Sequence, residues 1–99
     1  MIKNGKGKEY YSNGRIKFEG EYFNGKRWNG KGKKKNIIEF ELINGKGYVK
    51  EYNSYNYKLI YEGEYLNGER NGKGKEYYNG KLIFEGEYLE GKRNGEGKE

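Results

Sequence analysis

The chain has no cysteine, no histidine and no aspartate. Disulfides, thiolate nucleophiles, imidazole bases and the usual mixed metal-ligand sets are thereby excluded. The only serines, Ser12 and Ser54, stand in turn-like sequence with no base to activate them. Alanine, proline and threonine are missing too, a restricted alphabet that points either to compositional bias in the source or to an idealised sequence. No apolar run approaches the roughly 20 residues of a membrane-spanning helix. Met1-Ile2-Lys3-Asn4 does not lead into the apolar stretch of a signal peptide. The expected location is the cytoplasm, with the periphery of a membrane as the alternative.

Aliphatic residues are also scarce. Hydrophobic residues make up 31% of the 99 and charged residues 36%, too little for a thick core. The 12 Tyr, four Phe and one Trp change the outlook, because each covers a large area while tyrosine keeps its hydroxyl in water. A thin sheet carrying aromatic ladders fits this composition. Such low hydropathy with 18 Gly would suit disorder, but the glycines recur at fixed places beside aromatic and β-branched residues, a pattern a solvated chain does not need.

Three near-copies of one phrase dominate the sequence: Glu19-Gly20-Glu21-Tyr22, Glu62-Gly63-Glu64-Tyr65 and Glu85-Gly86-Glu87-Tyr88. The spacing from Gly63 to Gly86 is that of a repeat too short to be a domain, so each unit must bury its apolar face on its neighbours. Within Tyr61-Glu62-Gly63-Glu64-Tyr65 the period of two puts Tyr61, Gly63 and Tyr65 on one side, which predicts a strand. Ile38, Phe40 and Leu42 give a degenerate version with Phe40 in the glycine position. Asn24-Gly25, Asn44-Gly45, Asn67-Gly68 and Asn79-Gly80 supply the positive φ angles of tight hairpins. Strands are predicted near 5–11, 16–23, 37–43, 46–52, 58–66, 73–78 and 81–89, with weak pieces at 31–35 and 95–98. Helix has little support, since an interior glycine costs about 1 kcal/mol relative to alanine. The expected fold is all-β: an elongated, single-layer, twisted antiparallel sheet of tandem hairpins about 40 Å long. The expected units are a partial one at 1–16, full ones near 17–37, 38–59 and 60–82, and a partial one at 83–99.

Tyr61-Glu62-Gly63-Glu64-Tyr65-Leu66-Asn67-Gly68-Glu69-Arg70-Asn71-Gly72-Lys73-Gly74 resembles the MORN repeat (membrane occupation and recognition nexus) in its order Tyr-x-Gly-x-Tyr/Phe, Asn/Asp-Gly, Gly-x-Gly. Phe84 through Gly97 is similar, with Glu90 for the usual Asn, and Phe18 through Gly32 follows with Trp28 inserted; residues 38–58 fit poorly. The resemblance implies a sheet of hairpins used for protein assembly, self-association or contact with anionic phospholipid, without catalysis by the repeats. It also implies that the chain begins and ends in mid-unit, which would leave strand edges open to pairing.

The remaining motifs carry little chemistry. Gly25-Lys26-Arg27-Trp28-Asn29-Gly30-Lys31-Gly32 nearly makes a phosphate loop, but Gly32 replaces the hydroxyl residue and no helix follows. Glu62 and Glu64 could flank a substrate as an acid and base, yet every unit carries the pair and lysines such as Lys73 and Lys75 can oppose it. Tyrosine beside lysine could stack nucleic-acid bases, but the glutamates spoil the electrostatics. Two surfaces remain. Phe18, Tyr22, Phe40 and Tyr61, with Tyr65, Phe84, Tyr88 and Trp28, form a row expected to be mostly core and partly a protein-binding groove. Lys26, Arg27, Arg70, Lys92 and Arg93 are expected to line the turns as a basic rim able to touch anionic lipid. The reading is a non-enzymatic module without cofactor, metal or small-molecule substrate. It binds protein or a second copy through groove and strand edges, with lipid contact as the alternative.

Overall fold

A computed structural model describes residues 4–98; Met1–Lys3, the start of the first partial unit, lie outside them, as does Glu99. The described residues form nine strands and no helix: β1 (Gly5–Tyr10), β2 (Ile16–Phe23), β3 (Lys26–Lys34), β4 (Ile37–Leu42), β5 (Gly47–Tyr52), β6 (Leu59–Leu66), β7 (Glu69–Tyr78), β8 (Lys81–Leu89) and β9 (Lys92–Lys98). Each strand pairs antiparallel with its sequence neighbour, except that the ladder stops between β4 and β5. An all-β hairpin array is therefore the fold, and it is divided into sheets of four and five strands.

Turn chemistry sets the hairpins. The central pairs Asn24-Gly25, Asn44-Gly45, Asn67-Gly68 and Asn79-Gly80 all have positive φ at both residues, and Glu90-Gly91 adopts the same geometry with Glu90 at φ 50. These are the mirror-image turns whose twist suits a two-residue loop. Strands therefore begin directly after the first turn, at Lys26, Glu69 and Lys92, earlier than the sequence spacing suggests. The second Asn-Gly of each unit lies inside a strand. There it forms an irregularity rather than a turn: Glu21 faces Asn29 and Tyr22 faces Arg27, so Trp28 is an extra bulge residue.

Register explains how aromatic rings pack on so thin a structure. Gly7, Gly20 and Gly30 stand in one cross-strand row that ends in Leu42. Gly63, Gly74 and Gly86 form a second row that ends in Val49. Where glycine faces glycine the backbones close up: a Cβ on Gly20 would lie 2.0 Å from the Asn29 carbonyl oxygen. The rings of Phe18 and Tyr61 lie over this bare backbone and are fully buried, and the Phe40 ring lies over Gly32. On the opposite face, lysine and glutamate alternate across the strands, as in Lys8, Glu19, Lys31 and Glu41, an arrangement that favours antiparallel pairing.

The division into two sheets falls where the glycine rows end. Leu42 and Val49 are almost completely buried and pack together where the two sheets meet. After one bridge, Ile43 with Lys46, the strands part, and Gly47 packs against the Glu41 carbonyl, which a Cβ would approach to 2.5 Å. Phe18, Tyr22, Phe40, Leu42 and Val49 make one core cluster, Tyr61, Phe84 and Tyr88 another, and Tyr65 packs against both. The molecule measures 36 × 27 × 20 Å, shorter and broader than a continuous ribbon of nine strands.

Replacing Gly20 by Ala should cost about 3 kcal/mol, at the upper end for overpacking, because the obstruction is backbone. Gly14→Ala, with open space around it and only the strain of its φ of +86°, should lose less, about 1 kcal/mol. Urea denaturation followed by circular dichroism measures both, and equal losses would refute the close-approach argument.

Candidate binding cleft

The same three-residue connection recurs along the aromatic face. Glu9 accepts a hydrogen bond from the Tyr22 hydroxyl at 2.6 Å and two from Arg27 at 2.7 and 2.8 Å. Glu51 accepts from Tyr65 and from Arg70 at 3.1 Å twice. Glu76 accepts from Tyr88 at 2.5 Å and Arg93 at 2.9 and 3.2 Å. Each connection spans three consecutive strands. Each guanidinium also covers an aromatic ring: Arg27 on Phe18 at 4.7 Å, Arg70 on Tyr61 at 4.2 Å and Arg93 on Phe84 at 4.2 Å.

These contacts perturb the groups that make them. Burial pushes the Glu9 carboxyl up, but the Arg27 guanidinium and Tyr22 hydroxyl outweigh it and hold it below the usual carboxylate range. The Arg93 hydrogen bond, opposed by burial, lowers Glu76. The Tyr22, Tyr65 and Tyr88 hydroxyls are raised well above the ordinary tyrosine range, first by burial and then by their glutamates. Burial and Glu62 push Tyr77 up to about 12.

The unit between β3 and β5 lacks the connection. Lys34 stands where Glu76 stands two units on, Leu42 replaces the tyrosine, and no arginine follows. Beside this gap a cleft of about 720 Å³ opens between the sheets. Its walls include Tyr22, Phe40, Tyr52 and Tyr65, with Glu9, Arg27 and Glu51 of the neighbouring connections. One end is closed by the β1–β2 and β5–β6 loops, where the Ser12 amide donates to the Ser54 carbonyl at 2.8 Å and Tyr11 meets Tyr57 edge-on at 5.8 Å. The other end is bounded by turns, with the Gly68 amide donating to the Gly45 carbonyl at 2.9 Å and Lys26 paired to Glu69 at 3.0 Å.

Three further cleft residues come from bulges. Glu9 faces Phe18 while Tyr10 faces Ile16, which leaves Lys17 as the extra residue. By the same register shift Glu39 is extra in β4 and Ile60 in β6. A bulge re-aims its side chain, and Lys17, Glu39 and Ile60 all line the cleft. Plain alternation sets Lys17 and Ile60 on the side opposite Phe18 and Tyr61, so sequence reasoning missed them. The available signal is an equivalent position, just before the unit's first aromatic, in Lys17, Ile60 and Ile83.

The sequence-nominated residues divide between core, cleft and turns. Phe18, Tyr61, Phe84 and Tyr88 are buried outside the cleft lining, whereas Tyr22, Phe40 and Tyr65 line it. Trp28 is half-buried at the turn edge, 5.1 Å from Phe23. Of the basic residues, Arg27, Arg70 and Arg93 are engaged by glutamates on the aromatic face, Lys26 is paired with Glu69, and Lys92 is exposed. A row not singled out from sequence, Phe23, Ile43, Leu66 and Leu89, stands exposed just before successive turns.

Glu51→Gln should cost about 2 kcal/mol, since it leaves the half-buried Arg70 charge with only the long 3.9 Å contact to Glu76. Lys26→Gln at the turn pair should cost roughly 0.5 kcal/mol. Denaturant midpoints decide, and a neutral Glu51→Gln would show the connection to be ornamental. The raised tyrosines stabilise the fold fully below their unfolded value near 10 and lose that contribution as pH climbs toward their folded values. Tyrosinate absorbance at 295 nm should therefore rise together with loss of the β signal above about pH 10; ionisation of Tyr22, Tyr65 and Tyr88 with the fold intact would contradict this.

A family model for the MORN repeat matches residues 2–14, 61–81 and 84–99, about half of the chain. The unmatched stretch contains the unit without the glutamate–tyrosine–arginine connection. No curated protein and no solved structure matches.

Proposed function

Because the chain belongs to the MORN repeat family, whose repeats are generally non-enzymatic and suggest a protein-binding or membrane-associated module, we propose that it holds a segment of a partner protein in the cleft between its two sheets. The observation that carries this reading is the cleft itself. It lies at the unit that departs from the repeat, and its walls combine tyrosine and phenylalanine rings with charged groups from several strands. Such a mixture suits protein recognition, in which aromatic residues anchor and charges orient. The strand edges and a second copy of the chain are further contacts for assembly.

Peripheral attachment to anionic phospholipid is the second reading. The exposed row of Phe23, Ile43, Leu66 and Leu89 stands beside exposed Lys46 and Lys92 at the turn edge, a combination able to enter the interface and touch headgroups. The arginines contribute little charge to it, because glutamates already occupy them.

A photo-crosslinking amino acid at Ile60, inside the cleft, should give a discrete protein adduct in cells, while the same group at exposed Tyr78 should not. Equal labelling at both positions would reject the cleft. Pelleting with phosphatidylserine vesicles at low salt, reduced in Leu66→Ser/Leu89→Ser, would instead favour the turn edge.

A further inference from the structure

One unit places a cation at a position that other units fill with isoleucine. Lys17, Ile60 and Ile83 each precede the first aromatic of a unit and each is the extra residue of a bulge. The Lys17 ammonium is half-buried, donates to the Ser54 hydroxyl at 2.7 Å and lies 5.5 Å from the centre of the Tyr11 ring. None of the ion pairs among the described residues includes it. The three acidic groups lining the cleft are already used: Glu9 by Tyr22 and Arg27, Glu39 by Tyr52 at 2.6 Å, and Glu51 by Tyr65 and Arg70. The Lys17 ammonium thus stands at the cleft held by a hydroxyl and a ring and by no carboxylate of the described residues in direct contact. Burial pulls the Lys17 ammonium below the usual lysine range and Arg27 adds to the fall, against the weaker pull of Glu9 and Glu51.

We propose that Lys17 reads an acidic side chain on the partner segment, so that the cleft selects a peptide in which a carboxylate alternates with an apolar residue. The carboxylate meets the Lys17 ammonium on the wall supplied by β2, and the apolar side chain lies on Ile60 on the wall supplied by β6. In an extended segment neighbouring side chains alternate sides, so the acid and the apolar residue reach the Lys17 and Ile60 walls respectively. A carboxylate brought to a half-buried ammonium gains a charge-assisted hydrogen bond. The inference rests on the cleft being the protein-binding surface.

The test uses two blocked hexapeptides, Glu-Leu-Glu-Leu-Glu-Leu and Gln-Leu-Gln-Leu-Gln-Leu, titrated into the isotopically labelled chain. The Lys17 ε-methylene and Ile60 δ-methyl resonances are followed by NMR. The glutamate peptide should shift both and bind about tenfold more tightly than the glutamine peptide. In Lys17→Ile, which installs the residue of the equivalent positions, that preference should vanish while the Ile60 response remains. If both peptides shift Ile60 equally in the unaltered chain, or Lys17→Ile keeps the preference, the role of Lys17 is overturned and the cleft reading stands. If neither peptide moves Ile60, the cleft reading falls with it. Shifts at Lys17 caused by phosphatidylserine vesicles and by neither peptide would assign the site to a lipid surface and overturn the proposal.

Discussion

Three arginines project onto the aromatic face of sheets with few aliphatic residues, and each is held by a glutamate two strands away, Arg70 lying within 3.9 Å of a second. An isolated guanidinium there would be costly to desolvate. With a glutamate accepting from both the arginine and a tyrosine hydroxyl, the polar ends of three consecutive strands satisfy one another. The rings beneath them, Phe18, Tyr61 and Phe84, can then be buried although little apolar mass covers them. The arrangement also fixes register, since a slip by one residue would send the tyrosine or the arginine to the opposite face. Glycine rows complement it by admitting the rings to the backbone surface.

Where the connection is missing, the packing changes character. Leu42 and Val49 take over as ordinary aliphatic core, the hydrogen-bond ladder is interrupted, and the two sheets meet through side chains and a few backbone bonds between loops and turns. The cleft results from that substitution. Its walls include Glu9, Tyr22, Arg27, Glu51 and Tyr65 of the flanking connections, so the cleft and the stabilising network share side chains.

Much of the architecture was legible because local chemistry determines it. Asn-Gly pairs specify mirror-image turns, and Tyr-x-Gly-x-Tyr alternation specifies which face carries the rings. The partners of the arginines were not legible: Arg27 lies 18 residues from Glu9 and Arg70 lies 19 from Glu51, and nothing local shows that the pairs converge. From sequence they read as a basic rim. Lys17 and Ile60 were hidden for another reason. A single extra residue reverses the facing of a side chain, and whether it is accommodated as a bulge depends on the opposing strand. The break after β4 appeared only as a poor fit to the repeat, since Leu42 and Val49 are plausible strand residues in either arrangement.

The seam between the sheets has a mechanical side. Within each sheet, tension along the array is carried by rows of backbone bonds, whereas at the seam it meets the Ile43–Lys46 bridge, the Leu42–Val49 packing and the few contacts that latch the two ends of the cleft. A displacement of one sheet against the other therefore changes the width of the cleft before it breaks a strand ladder. The seam is thus the compliant line of a molecule whose two halves are each otherwise tied by continuous ladders.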